Sequence, residues 1–419
     1  ELVYAGKERE EDILAETMAV PLQPVKTFGN GDGGDWHNML IFGDNLQAMK
    51  TLWEMKKRGE LINADGSRGV KLVYIDPPFA TRQEFRGRQE ERAYQDKVTG
   101  ARFLEFLRQR LVFLRELLAD GGSIYIHLDW KKVHYIKILL DEVFGEHNFL
   151  TEIIWNYGSP SGGRVAGKKL VRSHETIIGY AAHYGRHVYN LIYLPYSEKY
   201  VKDWFRYVDE HGRRYQRRQR GRDESGSVTW EMQHLDESPG VPASTVWNDI
   251  KQVYADPRAY KADQAESSEL TGYPTQKPEK LVGRIVEMAS NPGDIVLDVF
   301  AGSGTTLAVA EKLGRRWIGI DCGKLAIYAI QKRMFNLREK ISNKGKRLEL
   351  KPFTLYNAGL YDFSKLKRLP WEDWRFFALH LFQCRDEPHT VGGGQLDGYR
   401  GADDALAFNH LQHGGVALD

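Results

Sequence analysis

An aspartate, two prolines and a phenylalanine follow one another at Asp76-Pro77-Pro78-Phe79, directly behind the apolar run Leu72-Val73-Tyr74-Ile75. A buried parallel strand ending this way offers three things at its carboxyl end, where α/β sheets bind ligands: a carboxylate acceptor, a rigid carbonyl and a stacking ring. A planar base with an exocyclic amino group needs all three. An Asp before Pro-Pro is also a common turn former, so the tetrapeptide alone leaves turn and function open.

A second strand pattern lies far downstream, in Ile295-Val296-Leu297-Asp298-Val299, and runs into Phe300-Ala301-Gly302-Ser303-Gly304-Thr305-Thr306. Glycines at such a corner let a ligand approach the backbone and let the next helix start close by. The full G-x-G-x-x-G is absent and no Lys follows at P-loop spacing, which disfavours a nicotinamide enzyme and a nucleoside triphosphatase.

Together these segments resemble the S-adenosylmethionine-dependent amino-methyltransferases that modify DNA bases. Asp-Pro-Pro-Phe is similar to their catalytic motif and Phe300 to Gly304 to their cofactor loop. With the catalytic motif first in the chain, the order resembles the beta class. Gly43-Asp44-Asn45-Leu46 and Thr275-Gln276-Lys277-Pro278 fall where that order requires them. The resemblance covers roughly residues 38–155 and 270–335.

The resemblance implies adenine N6 methylation, since the family's cytosine enzymes typically carry Ser where Asp76 stands. An adenine amino nitrogen is a poor nucleophile because its lone pair is delocalised into the ring. With Pro78 as part of the catalytic motif, Asp76 and the Pro77 carbonyl can accept both amino protons, and Phe79 stacks on a base flipped out of the duplex. For the cofactor, Phe300, Ala301, Gly302, Ser303, Gly304 and Thr305 are expected to line the methionine part. Asp298 is placed to meet its ammonium, and Asp321 to hold the ribose hydroxyls or cap the next helix. Asp44 and Asn45 are assigned to the adenine end, with a plain turn as the competing reading. Thr275, Gln276 and Lys277 are implied to close over the cofactor's carboxylate. His127 and Asp129 read as packing or gating residues, because transfer from a sulfonium needs neither a metal nor a strong base; no metal is expected.

The 419 residues carry 59 basic and 57 acidic side chains, so bulk charge says nothing about a nucleic-acid partner and only local patches can. The densest patch is Arg213, Arg214, Arg217, Arg218, Arg220 and Arg222, interleaved with Tyr215. Such runs are usually solvated loops; inside an insertion of a DNA-modifying enzyme they become candidates for the phosphate backbone of double-stranded DNA. Two cysteines give no disulfide framework, and no apolar stretch is long enough to cross a bilayer. A cytoplasmic setting is the expectation, and the start at Glu1 reads as trimmed or processed.

Strands alternating with helices predict a doubly wound, mostly parallel α/β sheet of Rossmann-like methyltransferase type, circularly ordered, with an inserted recognition region. Helices are expected over Leu46 to Trp53, Phe103 to Leu118 (stopped by Asp120-Gly121-Gly122), Val133 to Phe144, Lys280 to Ala289 and Thr305 to Leu313. Residues 1–37 read as an N-terminal arm, 38–155 as the catalytic half and 156–272 as the inserted target-recognition region, with one core strand near 175–181. Residues 273–345 read as the cofactor half and 346–419 as an extension of unassigned role. The rival readings are cytosine N4 methylation, a catalytically silent DNA-binding subunit, and methylation of RNA or protein. A restriction or phage-defence partner and a homodimer stay open.

Overall fold

The computed structural model describes residues 2–29, 36–78, 85–86, 92–93, 100–158, 170–253 and 269–359, with single residues and short strands between 371 and 405. Ten strands form one sheet. In chain order they are β1 (Leu22–Phe28), β2 (Asn38–Gly43), β3 (Val70–Ile75), β4 (Leu118–Leu128), β5 (Phe149–Asn156), β6 (His174–Ala181), β7 (Val246–Trp247), β8 (Ile295–Asp298), β9 (Arg316–Asp321) and β10 (Phe353–Ala358). Across the sheet the order is β1-β10-β2-β9-β8-β3-β4-β6-β5-β7. From β10 to β4 every neighbour is parallel. β6 runs antiparallel between β4 and β5, and β1 is an antiparallel edge.

Successive residues of a strand point to opposite faces, and here both faces are apolar. Ile41, Val73, Ile75, Leu297, Ile318 and Ile320 face one core with α1 (Glu10–Glu16), α2 (Asn45–Arg58), α3 (Ala101–Leu117) and α4 (Val133–Phe144). Leu40, Leu72, Tyr74, Val296 and Trp317 face the other with α5 (Glu279–Ala289), α6 (Thr305–Lys312) and α7 (Lys324–Phe335). Each such aliphatic side chain contributes about 1.5–3 kcal/mol over its exposed state. A one-residue register slip would move every one of them to the wrong core. The expected doubly wound, mostly parallel sheet is therefore what forms.

The chain crosses the sheet in two directions from its centre. From β3 it proceeds outward through β4 to β6 and β5; the downstream half returns with β8 on the other side of β3 and continues to β9. The carboxyl ends of β3 and β8 thus lie side by side at the switch point, where open α/β sheets bind ligands.

Several sequence boundaries shift. Asp120-Gly121-Gly122 does not stop α3 but lies inside β4, which starts at Leu118 with an irregular register against β3. A Cβ on Gly122 would come within 2.6 Å of the Val70 carbonyl oxygen, so glycine here serves a close strand approach. β1, assigned to the arm, and β10, assigned to the extension, both belong to the core sheet. Within 156–272, strands Tyr207–Val208, Arg214–Arg222 and Val228–His234 form a separate three-stranded antiparallel sheet. β7 then leads the chain back against β5.

Candidate active site

Asp76 is the first residue past β3, whose six residues are all buried. Its Oδ2 accepts a hydrogen bond from Lys277 Nζ at 2.6 Å. Its Oδ1 is buried and has no hydrogen-bond partner among the described residues. A buried carboxylate oxygen left unpaired is costly, on the order of 1–3 kcal/mol, and marks an acceptor kept for something else. Pro77 is buried and Pro78 half-buried; Phe79 lies outside the described residues.

Lys277 also lies 3.6 Å from Glu175 Oε2 on β6. Glu175 Oε2 in turn pairs with His127 Nε2 at 2.7 Å, and His127 Nδ1 with the Tyr74 hydroxyl at 2.9 Å. Burial would lower the Lys277 ammonium, but the Asp76 and Glu175 carboxylates outweigh it and raise it. Burial pushes Glu175 up, yet Lys277 and the His127 hydrogen bond hold it well below the usual carboxylate range. Tyr74 is raised far above its ordinary value by burial, then by Asp76, Asp298 and Glu175, so it remains a hydroxyl donor.

The glycine corner after β8 is braced from two sides. Gly302 N–H donates to Asp321 Oδ2 at 2.8 Å, and Gly323 N–H to Asp321 Oδ1 at 2.7 Å. Phe300 N–H donates to Asp298 Oδ1 at 3.0 Å and the Thr306 hydroxyl to Asp298 Oδ2 at 2.6 Å. Burial, reinforced by Asp76 and Asp321, pushes the Asp298 carboxyl up to about 7; burial likewise raises Asp321. Gly302 and Gly304 hold left-handed φ of 48° and 72°. A Cβ on Gly304 would sit 2.8 Å from Ile330, whereas one on Gly302 would meet the Tyr273 ring at only 3.4 Å. Gly304 therefore serves helix packing and Gly302 leaves room. Ala301 is buried and Phe300 half-buried. Arg333 ties Ser303 and Thr305 inward, donating to the Ser303 carbonyl at 3.2 Å and the Thr305 hydroxyl at 2.9 Å.

Asp44 caps α2, accepting from the Leu46 and Gln47 amides. Asn45 Nδ2 donates to the Val299 carbonyl at 2.8 Å, joining the β2 end to the cofactor corner. Arg110 on α3, which belongs to no motif, donates from Nε to Asn45 Oδ1 at 2.6 Å and lies 3.5 Å from Asp44. Thr275 takes a left-handed φ of 61°. Gln276 folds its loop, accepting from Thr271 and donating to the Glu269 carbonyl. That turn delivers Lys277 to Asp76 rather than to the end of the glycine corner. Asp129 Oδ1 accepts from the Lys131 amide, while His127 is fully buried inside the polar chain behind Asp76.

Five of the six arginines fall on the strand Arg214–Arg222, not in a loop, and the six divide by partner. Arg213, just before the strand, pairs with Asp209 at 3.2 Å and Glu237 at 2.8 Å. Arg220 pairs with Glu231, and Arg222 donates to the Gly226 carbonyl. Arg214, Arg217 and Arg218 are exposed with no ion pair among the described residues; Arg217 lies over the Tyr207 ring at 4.7 Å. No cluster of three or more metal-binding side chains occurs among the described residues.

These features fit a nucleoside sulfonium donor. A Cβ on Gly302 would meet no atom beyond its chain neighbours closer than 3.4 Å, Asp298 and Asp321 accept from the amides of the corner, and Asp76 Oδ1 is left without a hydrogen-bond partner among the described residues. A doubly wound sheet that sets an unpaired carboxylate oxygen next to such a corner has the architecture of an α/β group-transfer enzyme. The chain belongs to the DNA methylase family of N6 and N4 amino-methyltransferases, whose profile matches residues 70–332. The methyl donor of this family is S-adenosylmethionine. Among its relatives, the type II methyltransferase M.EcaI of Enterobacter cloacae is 30% identical over 361 residues, 79% of this chain and 77% of that protein. The DNA adenine methyltransferase YhdJ of Escherichia coli is 30% identical over 288 residues, 69% of this chain and 79% of that protein. The type III restriction-modification enzyme StyLTI Mod subunit of Salmonella typhimurium is 24% identical over 395 residues, 76% of this chain but 56% of that protein.

Glu175, Tyr74 and Arg110 were missed by sequence reasoning. Glu175 is the second residue of a strand that is buried from that position onward, and a charge at the mouth of such a strand was the available signal.

Proposed function

We propose that this chain methylates the N6 amino group of adenine flipped out of duplex DNA. The observation that carries the reading is Asp76: an anchored carboxylate with one buried, unpartnered oxygen, at the strand end beside the glycine corner. S-adenosylmethionine supplies an electrophilic methyl group. Asp76 Oδ1 accepts one amino proton and the Pro77 carbonyl the other, so that the nitrogen lone pair turns out of the ring plane. One N–C bond forms, one S–C bond breaks with its electron pair left on sulfur, and one amino proton leaves to solvent. Proximity and alignment supply most of the acceleration, and unstacking the base costs a few kcal/mol. Asp298 meets the methionine ammonium and Asp321 the ribose.

For DNA, the candidates narrow to Arg214, Arg217 and Arg218. Trp230 and Met232, exposed on the strand paired with theirs, add apolar surface for stacking. The naming of the Salmonella relative as a Mod subunit supports a restriction partner for this chain too. Light scattering with and without DNA tests the homodimer.

Incubation with methyl-labelled S-adenosylmethionine and unmodified genomic DNA, then digestion to nucleosides, tests the reading. N6-methyladenine is expected; N4-methylcytosine, or label only in RNA or protein, overturns it.

A further inference from the structure

The polar chain behind Asp76 is buried, charged and longer than a turn requires. Five side chains from four places in the fold take part: Tyr74 on β3, His127 on β4, Glu175 on β6, Lys277 from the loop before α5, and Asp76 itself. His127 is 0% exposed. A His127 that donates from Nε2 to Glu175 accepts at Nδ1 from the Tyr74 hydroxyl, so Glu175 is locked from behind. Lys277 then lies between two carboxylates, 2.6 Å from Asp76 and 3.6 Å from Glu175.

The loop that delivers Lys277 is held at a cost. Thr275, two residues before it, keeps its left-handed backbone, which disfavours a non-glycine residue by on the order of 1–2 kcal/mol. Gln276 fastens the loop with three hydrogen bonds, and the Lys277 carbonyl accepts from the Thr305 hydroxyl at 3.1 Å on the cofactor corner. A surface ion pair contributes little and would not be worth such strain. Here the pair fixes which oxygen of Asp76 is used.

We infer that Lys277 and Glu175 are positioning residues for the transfer: Glu175, locked by His127 and Tyr74, places Lys277 on Asp76 Oδ2, so that Oδ1 alone meets the incoming amino group. The inference rests on Asp76 being the amino-group acceptor. It departs from the expectation that Lys277 binds the cofactor's carboxylate. It also gives the site an electrostatic role. One ammonium between two carboxylates leaves a net negative charge beside the nitrogen, which becomes positive as the N–C bond forms. Charge held in advance where it develops acts without reorganisation.

The test uses the full chain, methyl-labelled S-adenosylmethionine and PCR-amplified, unmodified genomic DNA, with kcat, KM and cofactor affinity measured separately. The readout is methyl transferred to DNA whichever base carries it, and nucleoside analysis of the same samples reports on the adenine reading independently. Lys277→Met is expected to lower kcat by about 10²-fold, as for removal of a preorganised electrostatic group, with cofactor affinity changed less than about threefold. Lys277→Arg should recover part of the loss, and Glu175→Gln, which keeps the side chain's shape, should lose less than Lys277→Met. Because Lys277→Met leaves two carboxylates facing each other and strains the site, the charge-balanced double variant Lys277→Met/Glu175→Gln serves as the control. It should melt near the wild type yet remain slow. Turnover restored in the double variant would reduce the pair to charge balance in the core and overturn the inference. Cofactor affinity falling in step with kcat would overturn it as well, returning Lys277 to the cofactor.

Discussion

Asp298 is the buried acid whose ionisation the fold resists most visibly, and replacing it by Asn yields a prediction with a definite sign. The native carboxyl holds its proton to about pH 7, against an ordinary value of 3.8, chiefly because it is buried and secondarily because Asp76 and Asp321 are near. Its contribution to stability is therefore full below about pH 4 and is lost as the pH rises to 7. A shift of about three units at 1.36 kcal/mol each makes the ionised residue cost about 4 kcal/mol at pH 8, and about 1.6 kcal/mol at pH 5. In Asp298→Asn, the amide oxygen can still accept from Phe300 N–H and the amide nitrogen can donate to Thr306. Whatever that exchange costs is the same at both pH values, so the difference isolates ionisation. The variant's stability relative to wild type should rise by about 2–3 kcal/mol between pH 5 and pH 8. Urea unfolding of both cofactor-free proteins across that range measures it. Cofactor affinity should move oppositely: if the ionised carboxylate meets the methionine ammonium, wild-type affinity climbs from pH 6 to 8 and the variant's is lower at pH 8. A stability difference that is flat with pH would refute the reasoning about burial; flat affinity in both would remove Asp298 from the cofactor.

Asp76→Ala should abolish methyl transfer, by at least about 10²-fold, while calorimetry shows S-adenosylmethionine binding nearly unchanged; retained turnover removes Asp76 from its role. Gly302→Val should weaken cofactor affinity with an unfolding cost of about 1–2 kcal/mol for its left-handed backbone. Gly304→Val should unfold the domain more severely because its Cβ meets Ile330 at 2.8 Å, and equal behaviour of the two would contradict the division between space and packing. Replacing Arg214, Arg217 and Arg218 by Gln should lower the log–log salt slope of DNA binding by about 0.9 for each phosphate that is no longer neutralised. Arg213→Gln, which breaks pairs with Asp209 and Glu237, should leave that slope alone and loosen the hairpin, as hydrogen exchange would report.

The elements that sequence reasoning located best are those whose burial imposes a period. β3, α4 and β6 were readable to within a residue because strands covered on both faces must be continuously apolar and helices covered on one must repeat at three and four. β1 and β10 escaped because each is an edge or near-edge strand with mixed burial, and nothing local says that residues 22 and 358 will pair. The Asp120-Gly121-Gly122 stop failed for a related reason. Glycine signals a turn in isolation, but the same residue is required where a Cβ would come within 2.6 Å of a neighbouring strand's carbonyl.

The site divides along the same line. Asp76, Gly302 and Asp321 could be found because each lies at or shortly past the carboxyl end of a strand and takes its direction from it. Lys277 was found as a residue, but its pairing with Asp76 at 2.6 Å was not foreseen. Its direction depends on Thr275 holding an unfavourable backbone and on Gln276 reaching back to Glu269, two facts of tertiary origin. Glu175 and His127 are further removed still. They are paired across antiparallel strands β4 and β6, and nothing in the spacing of 127, 175 and 277 announces that one proton donor, one acceptor and one cation will converge behind residue 76. Sequence order thus disclosed the groups proposed to meet the ligands, whereas the groups packed behind them became visible only when strands from both halves of the chain were laid side by side.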